Sequence, residues 1–283
     1  MLSLKKKRRW RQNNRGQGPV VKQELSQEDR DLISRLEDGR EKVRSLKECT
    51  NTYRKLLTSI LFQFADSQLA AASAFAGAMQ LAPSLDNRIE LATITRDKLE
   101  MTRQTHGLLG ELDLNLKKYF SSHDWESRVN RHAALGYVRA SSDKRLNALM
   151  YPLEGWCDVA VFTYLMSAMT CIQLADFAES SFSPWAELAS TILETEKTHC
   201  GYGLKFIDES WDSKEDTLEL QASMNYWYHK VLECFGPENS DGNKLYRQFK
   251  IKSQRNEETR DRWYACIQEE LKPLEIVVPA ARG

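Results

Sequence analysis

The chain has 283 residues, with 40 Lys and Arg against 40 Asp and Glu, a formal net charge of zero and 41% hydrophobic residues. That length can bury the core of one large domain or two small ones, and the charge balance argues against a globally basic nucleic-acid binder while leaving room for a local patch. Only 13 Gly and 7 Pro argue against an all-β chain, and no apolar run reaches the length of a membrane span.

Residues 1–23 read as a basic disordered tail, holding Lys5, Lys6, Lys7, Arg8, Arg9, Arg11 and Arg15 with no acid before Glu24. "MLSLKKKRRWRQ" lacks the apolar stretch of a secretory signal. The tail is expected to be a solvated arm or an arm that binds an anion or a partner. From 24 to 283 the chain reads as a single helical domain. "SQEDRDLISRLEDGREKVRSLKE" predicts a helix, with Ser26 as cap and the acids Glu28 and Asp29 in its first turn. A helix over about 50–82, rich in Ala on one face, stops at Pro83. Ser84 caps the next, over about 84–114, for which Ile89, Ala92, Ile94, Leu99 and Leu108 are expected on the buried side. A long connection follows over about 115–154, then helices over 155–180 and 184–210, the last with Pro184 in its first turn. "DTLELQASMNYWYHKVLECFG" and "EETRDRWYACIQEELKPLE" predict two more helices.

Alternating strand patterns are scarce and no internal period is apparent. The fold class is therefore all-α: two antiparallel helix pairs, 50–82 with 84–114 and 155–180 with 184–210, joined by a long crossover. That is the layout of a ferritin-like four-helix bundle with additional helices. Cys49, Cys157, Cys171, Cys200, Cys234 and Cys266 are scattered without a Cys-x-x-Cys, and read as reduced core thiols of a cytoplasmic protein.

One short motif bears on chemistry. Glu196-Lys-Thr-His199 is a Glu-x-x-His, which on a helix points one carboxylate and one imidazole the same way. Ferritin-like di-iron sites need that pair on two helices, plus a carboxylate from each of two others. The polar candidates on helix 84–114 are Glu90, Asp97, Lys98, Glu100, Arg103, His106 and Glu111. Of the histidines His106, His123, His132, His199 and His229, only His199 has an acid three residues upstream. Counting alone therefore leaves the second pair missing, and a single pair is weak evidence of metal.

Several stretches carry a family resemblance. "LAPSLDNRIELATITRDKLE", "YPLEGWCDVAVFTYLM", "SSFSPWAELASTILETEKTH" and "ECFGPENSD" followed by "FKIKSQRNEETRDRW" resemble the catalytic ferritin-like subunit of the bacterial phenylacetyl-coenzyme A epoxidase (ring 1,2-monooxygenase) complex. Phe235-Gly236-Pro237 and the closing "VVP" are the most specific parts, and "DVAVFTYLM" is also similar to the non-catalytic partner subunit. The resemblance spans about residues 50–280. It implies that the ligand positions of the catalytic subunit fall on Gln68, Lys98, Met101, Ser167, Glu196 and His199, of which only Glu196 and His199 keep the ligand residue type. A buried Lys98–Glu196 pair would then stand where the metal sits, avoiding an unpaired buried carboxylate.

Three readings follow. The first is a non-catalytic scaffold subunit, with no cofactor of its own, of a multicomponent di-iron monooxygenase acting on an aromatic acyl-coenzyme A. Its expected partners are a catalytic ferritin-like homologue carrying the iron and a reductase component. Tyr226, Trp227, Tyr228, Trp263 and Tyr264 are candidate interface anchors, with core packing the stronger expectation for most of them. The alternative is an active oxygenase whose altered iron site uses Glu196, His199 and a carboxylate such as Asp176 or Glu179, with Arg88, Arg96, Arg103 or the Lys250–Arg255 run near the coenzyme A phosphates. The third reading takes the tail and Trp10 as a nucleic-acid or membrane-surface binder; the rest of the chain carries no motif for it.

Overall fold

The computed structural model describes residues 24–37, 41–112, 114–122, 143–210 and 214–280. The basic tail, and the middle of the crossover with His123 and His132, lie outside these residues. The described residues are all-α, with no strand and a single isolated bridge, Val43 to Phe182. Helix α1 spans Gln27–Glu37. Its cap is reciprocal: the Asp29 amide donates to Ser26 Oγ and the Ser26 amide to Asp29 Oδ2, both at 3.1 Å. The single helix expected over 26–48 is instead α1 followed by a 3₁₀ turn at Leu46–Glu48. Val43 pairs with the backbone of Ser181 and Ser183 on the way, and those two bonds require extended chain.

The four bundle helices are α2 (Asn51–Ala78), α3 (Leu85–Glu111), α5 (Trp156–Phe177) and α6 (Ser183–Glu209). Thr50 and Ser84 cap α2 and α3, each accepting the backbone N–H three residues on. Pro184 sits in the first turn of α6, where its missing N–H costs nothing. The most extensive packing joins α2 to α3 and α5 to α6, as the sequence implies; α3 also meets α6, and α2 meets α5, closing the bundle. Buried Ala65, Ala70, Ala71, Ala72, Ala74 and Ala78 give α2 a low-relief face. Gly203 of α6 lies against the backbone of Tyr164 on α5, so closely that a Cβ there would stand 2.5 Å from Tyr164 Cα.

Along the crossover, α4 (Leu116–Ser122) docks on α2 by stacking Tyr119 on Phe62 at 4.1 Å and by donating the Tyr119 hydroxyl to buried Asp66. Further on, the Leu146 amide donates to Ser67 Oγ at 3.0 Å, and Ala148, Leu149 and Met150 enter the core. Helices α7 (Lys214–Leu232) and α9 (Asn256–Leu271) cover α5. Asp158 accepts from Ser223 Oγ and Trp227 Nε1, both at 2.9 Å, while Tyr164 Oη donates to Glu270 at 2.7 Å. Between them lies α8 (Asp241–Gln248), absent from the sequence expectation although Ser240 caps it. Thus α5 is covered on every side from Val159 to Thr170. Among the described residues it is the one helix long and apolar enough to cross a membrane, and 78% of its apolar window is buried in the bundle.

The core divides into two apolar clusters. One gathers Leu32, Tyr53, Leu57, Leu61, Met101, Leu109, Trp185 and Ile192; the other gathers Ala70, Leu91, Ile94, Phe162, Phe206, Trp227 and Trp263. On α2 the first ends at Leu61 and the second begins with Ala70; on α3 the changeover falls between Ile94 and Met101; on α6 it falls between Ile192 and Phe206. Buried polar side chains occupy that middle level: Asp66, Ser67, Gln68, Lys98, Ser167, Glu196 and His199.

The buried face of α3 differs from expectation. Ile94 and Leu108 are inside, but Ile89 and Leu99 are 55% and 45% exposed, and Ala92 is exposed too. The inward row is Leu91, Ile94, Lys98, Met101, Thr105 and Leu108. Its polar members hide the true face from an apolar count: the Thr105 hydroxyl donates to the Met101 carbonyl at 2.7 Å, and Lys98 is neutralised by an ion pair.

Candidate functional site

The middle level of the bundle is held by one chain of charges. Lys98 Nζ of α3 donates to Glu196 Oε1 of α6, with both side chains at most 5% exposed. Glu196 Oε2 lies 3.6 Å from His199 Nδ1, one helical turn on. His199 Nε2 is 3.2 Å from Asp97 Oδ2, and Asp97 in turn binds the exposed guanidinium of Arg96 at 2.7 Å. The order is therefore cation, anion, imidazole, anion, cation. Arg96, Asp97 and Lys98 are consecutive on α3 and lace it to Glu196 and His199 on α6. At 3.6 Å the Glu196–His199 approach is electrostatic rather than a hydrogen bond, and Glu196 Oε2 and His199 Nδ1 have no hydrogen-bond partner among the described residues.

Burial alone would push the Glu196 carboxyl upward. The Lys98 ammonium, then His199, reverse this and hold it at about 2. The nearby Cys171 thiol is pushed up to about 12 by burial first and the Glu196 charge second, so it stays a protonated thiol. None of the six cysteines is in a disulfide, and the thiols of Cys49 and Cys266 are each pushed up to about 11 by burial.

The positions singled out by resemblance largely converge. Gln68 of α2, Lys98 of α3 and Ser167 of α5 line one small cavity of about 20 Å³, and Lys98 reaches from it to Glu196. Met101 is buried one turn along α3 in the neighbouring apolar cluster. These residues do not fit a di-iron centre. An ammonium occupies the carboxylate that would ligate metal, and the positions facing it across the cavity offer an amide and a hydroxyl rather than anionic oxygens.

Asp176 and Glu179 are not brought to the pair. Asp176 lies about 14 Å further along α5 than Ser167 at 1.5 Å per residue. Its Oδ1 accepts from the Ser253 amide at 2.8 Å, Ser253 Oγ at 2.5 Å and the Gln254 amide at 3.2 Å. Glu179 is exposed beyond the end of α5. Among the described residues no group of three or more His, Cys, Asp or Glu side chains is placed to hold a metal ion. Asp97 is the site residue to which residue type and spacing assign no role; its adjacency to Lys98 is the signal, since a helix carries neighbouring residues about 100° apart and can present both to one partner helix.

A larger cavity of about 430 Å³ adjoins the small one, sharing Ser67, Gln68, Leu146 and Thr170 with it. Its other wall is the Phe235-Gly236-Pro237 turn and the chain from Ser240 to Asn256. Gly236 has φ 84° and ψ 176°, a conformation open essentially to glycine alone. Asn256 Nδ2 donates to the Pro237 carbonyl at 3.0 Å, and a Cβ on Gly236 would stand 3.0 Å from that same nitrogen. Gly236→Ala is expected to cost about 1–3 kcal/mol, read as a lowered midpoint in thermal unfolding; an unchanged midpoint would show that the turn relaxes.

The profile of the phenylacetic acid catabolic protein family matches residues 40–283. The chain belongs to that family. It is thereby placed among the oxygenase subunits of phenylacetate catabolism. No curated protein matches the chain in sequence. Within the family frame, Trp227, Tyr228 and Trp263 prove to be fully buried core, while Tyr226 is 45% exposed and Tyr264 half-buried. Of the basic residues considered for coenzyme A phosphates, Arg96 and Arg103 are engaged by Asp97 and Glu100, Arg255 by Glu257 and Glu258, and Lys252 turns inward.

Proposed function

We propose that this chain is the non-catalytic subunit of a cytoplasmic, multicomponent di-iron monooxygenase that acts on an aromatic acyl-coenzyme A. It pairs with a catalytic ferritin-like homologue that carries the iron and receives electrons from a reductase, and it supports that homologue as a scaffold. The observation that carries this reading is the Lys98–Glu196 ion pair in the middle of the bundle. It keeps the bundle closed and neutral at the level where the family's catalytic members hold metal, and it leaves the retained Glu196 and His199 as parts of a charge chain between two helices.

A scaffold needs a surface for its partner. Leu85, Ile89 and Leu99 are 72%, 55% and 45% exposed, and at 100° per residue they fall within one face of α3. This outward apolar stripe supports an assembly role.

The test is metal content. The chain expressed alone with iron supplied is expected to carry none, whereas the chain co-purified with a catalytic homologue should carry about two irons per pair, the stoichiometry of a di-iron carboxylate site. Stoichiometric iron in the lone chain, lost in His199→Ala, would overturn the reading and make this an active oxygenase with an altered site.

A further inference from the structure

The 430 Å³ cavity holds a cation that the charge chain does not use. Lys252 is 8% exposed and lines the cavity wall. Its ammonium donates to Gln173 Oε1 at 2.6 Å and lies 5.1 Å from the centre of the Phe177 ring. Among the described residues no carboxylate comes within ion-pair distance of it; Asp176 acts on it only at longer range, and burial pulls its affinity for the proton down. A buried ammonium whose one close acceptor is a neutral amide is costly. Phe64, Met169, Leu174, Phe177 and Phe235 give the cavity an apolar, largely aromatic part, beside polar Gln63, Thr170 and Asn243 and the exposed Lys144. Gln68, 5% exposed at the inner end, has an amide oxygen with no hydrogen-bond partner among the described residues. A volume of about 430 Å³ falls in the range that encloses small molecules. Aromatic walls with one buried cation are complementary to one ligand chemistry, a flat apolar body bearing a single negative charge.

We propose that this cavity is a binding site for a small aryl carboxylate, with the carboxylate on Lys252 and Gln173 and the ring among Phe64, Met169 and Phe177. The inference stands on the cavity and not on the subunit role proposed above, because neither Lys252 nor Phe177 belongs to the charge chain. The single buried ammonium favours a free acid over its coenzyme A thioester, which replaces the carboxylate with a neutral carbonyl and brings several phosphate charges, against which the cavity sets one exposed ammonium, Lys144.

The full chain titrated calorimetrically with phenylacetate is expected to bind it. 2-Phenylethanol, similar in shape but uncharged, should bind about tenfold or more weakly, as should phenylacetate to Lys252→Met; that is the loss of one charge-assisted hydrogen bond. Lys252→Arg, which keeps the charge, should retain most of the affinity, and its circular dichroism melt checks that the variants are folded. The analogue series on the unmodified chain reads the same question without any substitution. Equal binding of the acid and the alcohol, binding of phenylacetyl-coenzyme A without competition from phenylacetate, or no binding of phenylacetate at all would each overturn the proposal. A lone chain that proves to hold iron would overturn the scaffold reading and leave this one standing.

Discussion

A Lys98→Met chain is expected to lose about 3–5 kcal/mol of stability in urea unfolding at neutral pH, the cost of leaving a buried carboxylate without its partner. Glu196 is fully buried, and its second oxygen has no hydrogen bond among the described residues to take up the charge. Removing both charges tests whether the pair itself stabilises the fold: Lys98→Met with Glu196→Leu should recover most of the loss, and a gain of about 1–4 kcal/mol over the unmodified chain is within the range for replaced buried pairs. The pH dependence adds an independent signature. In the folded chain Glu196 sits at about 2, below its ordinary 4.5. A lowered value contributes stability that is fully present above 4.5 and is lost as pH falls toward 2. In Lys98→Met the carboxyl is left with burial and no ammonium, so it takes up a proton more readily. The gap between the two chains should then narrow as pH drops through 4.5. A single mutant as stable as the parent at neutral pH would show that water reaches Glu196 and that the pair is not closed.

The second large effect belongs to a residue with no side chain. Gly203→Ala places a Cβ 2.5 Å from Tyr164 Cα and N, which are backbone and cannot rotate away. Helices α5 and α6 must separate, and Tyr164, fully buried and bonded through its hydroxyl to Glu270 of α9, moves with them. The expected loss is about 3 kcal/mol, the upper end for an overpacked core. Gly201, two residues earlier, is the control: a Cβ there meets nothing within 4 Å. Gly201→Ala should stabilise the chain by about 0.5–1 kcal/mol through helix propensity alone. Two glycine substitutions in one helix with opposite signs in the same denaturation experiment would locate the close approach of α5 and α6 at Gly203; equal signs would refute it.

The missing second Glu-x-x-His is legible from the sequence because it depends only on which residue stands three before each histidine. An end of three of the four long helices is legible too: Pro83 stops α2, Ser84 caps α3 and Pro184 opens α6, by local backbone chemistry that needs no partner. Phe235-Gly236-Pro237 stands out in the sequence only by resemblance; that Gly236 takes a backbone conformation other residues avoid is seen in the fold. Tertiary structure decided what local chemistry leaves open. The buried face of α3 turned on Lys98 and Thr105 being inside, which is possible only because Glu196 on another helix neutralises the lysine and Thr105 bonds its own backbone. His199 found Asp97 across a helix interface, and Asp176, a candidate ligand by type, was taken instead by the amides of Ser253 and Gln254. Residue type and spacing fix what a side chain can do. Which partner reaches it first is set by helices that meet across the bundle, about a hundred residues apart in the chain, and that is a property of the fold.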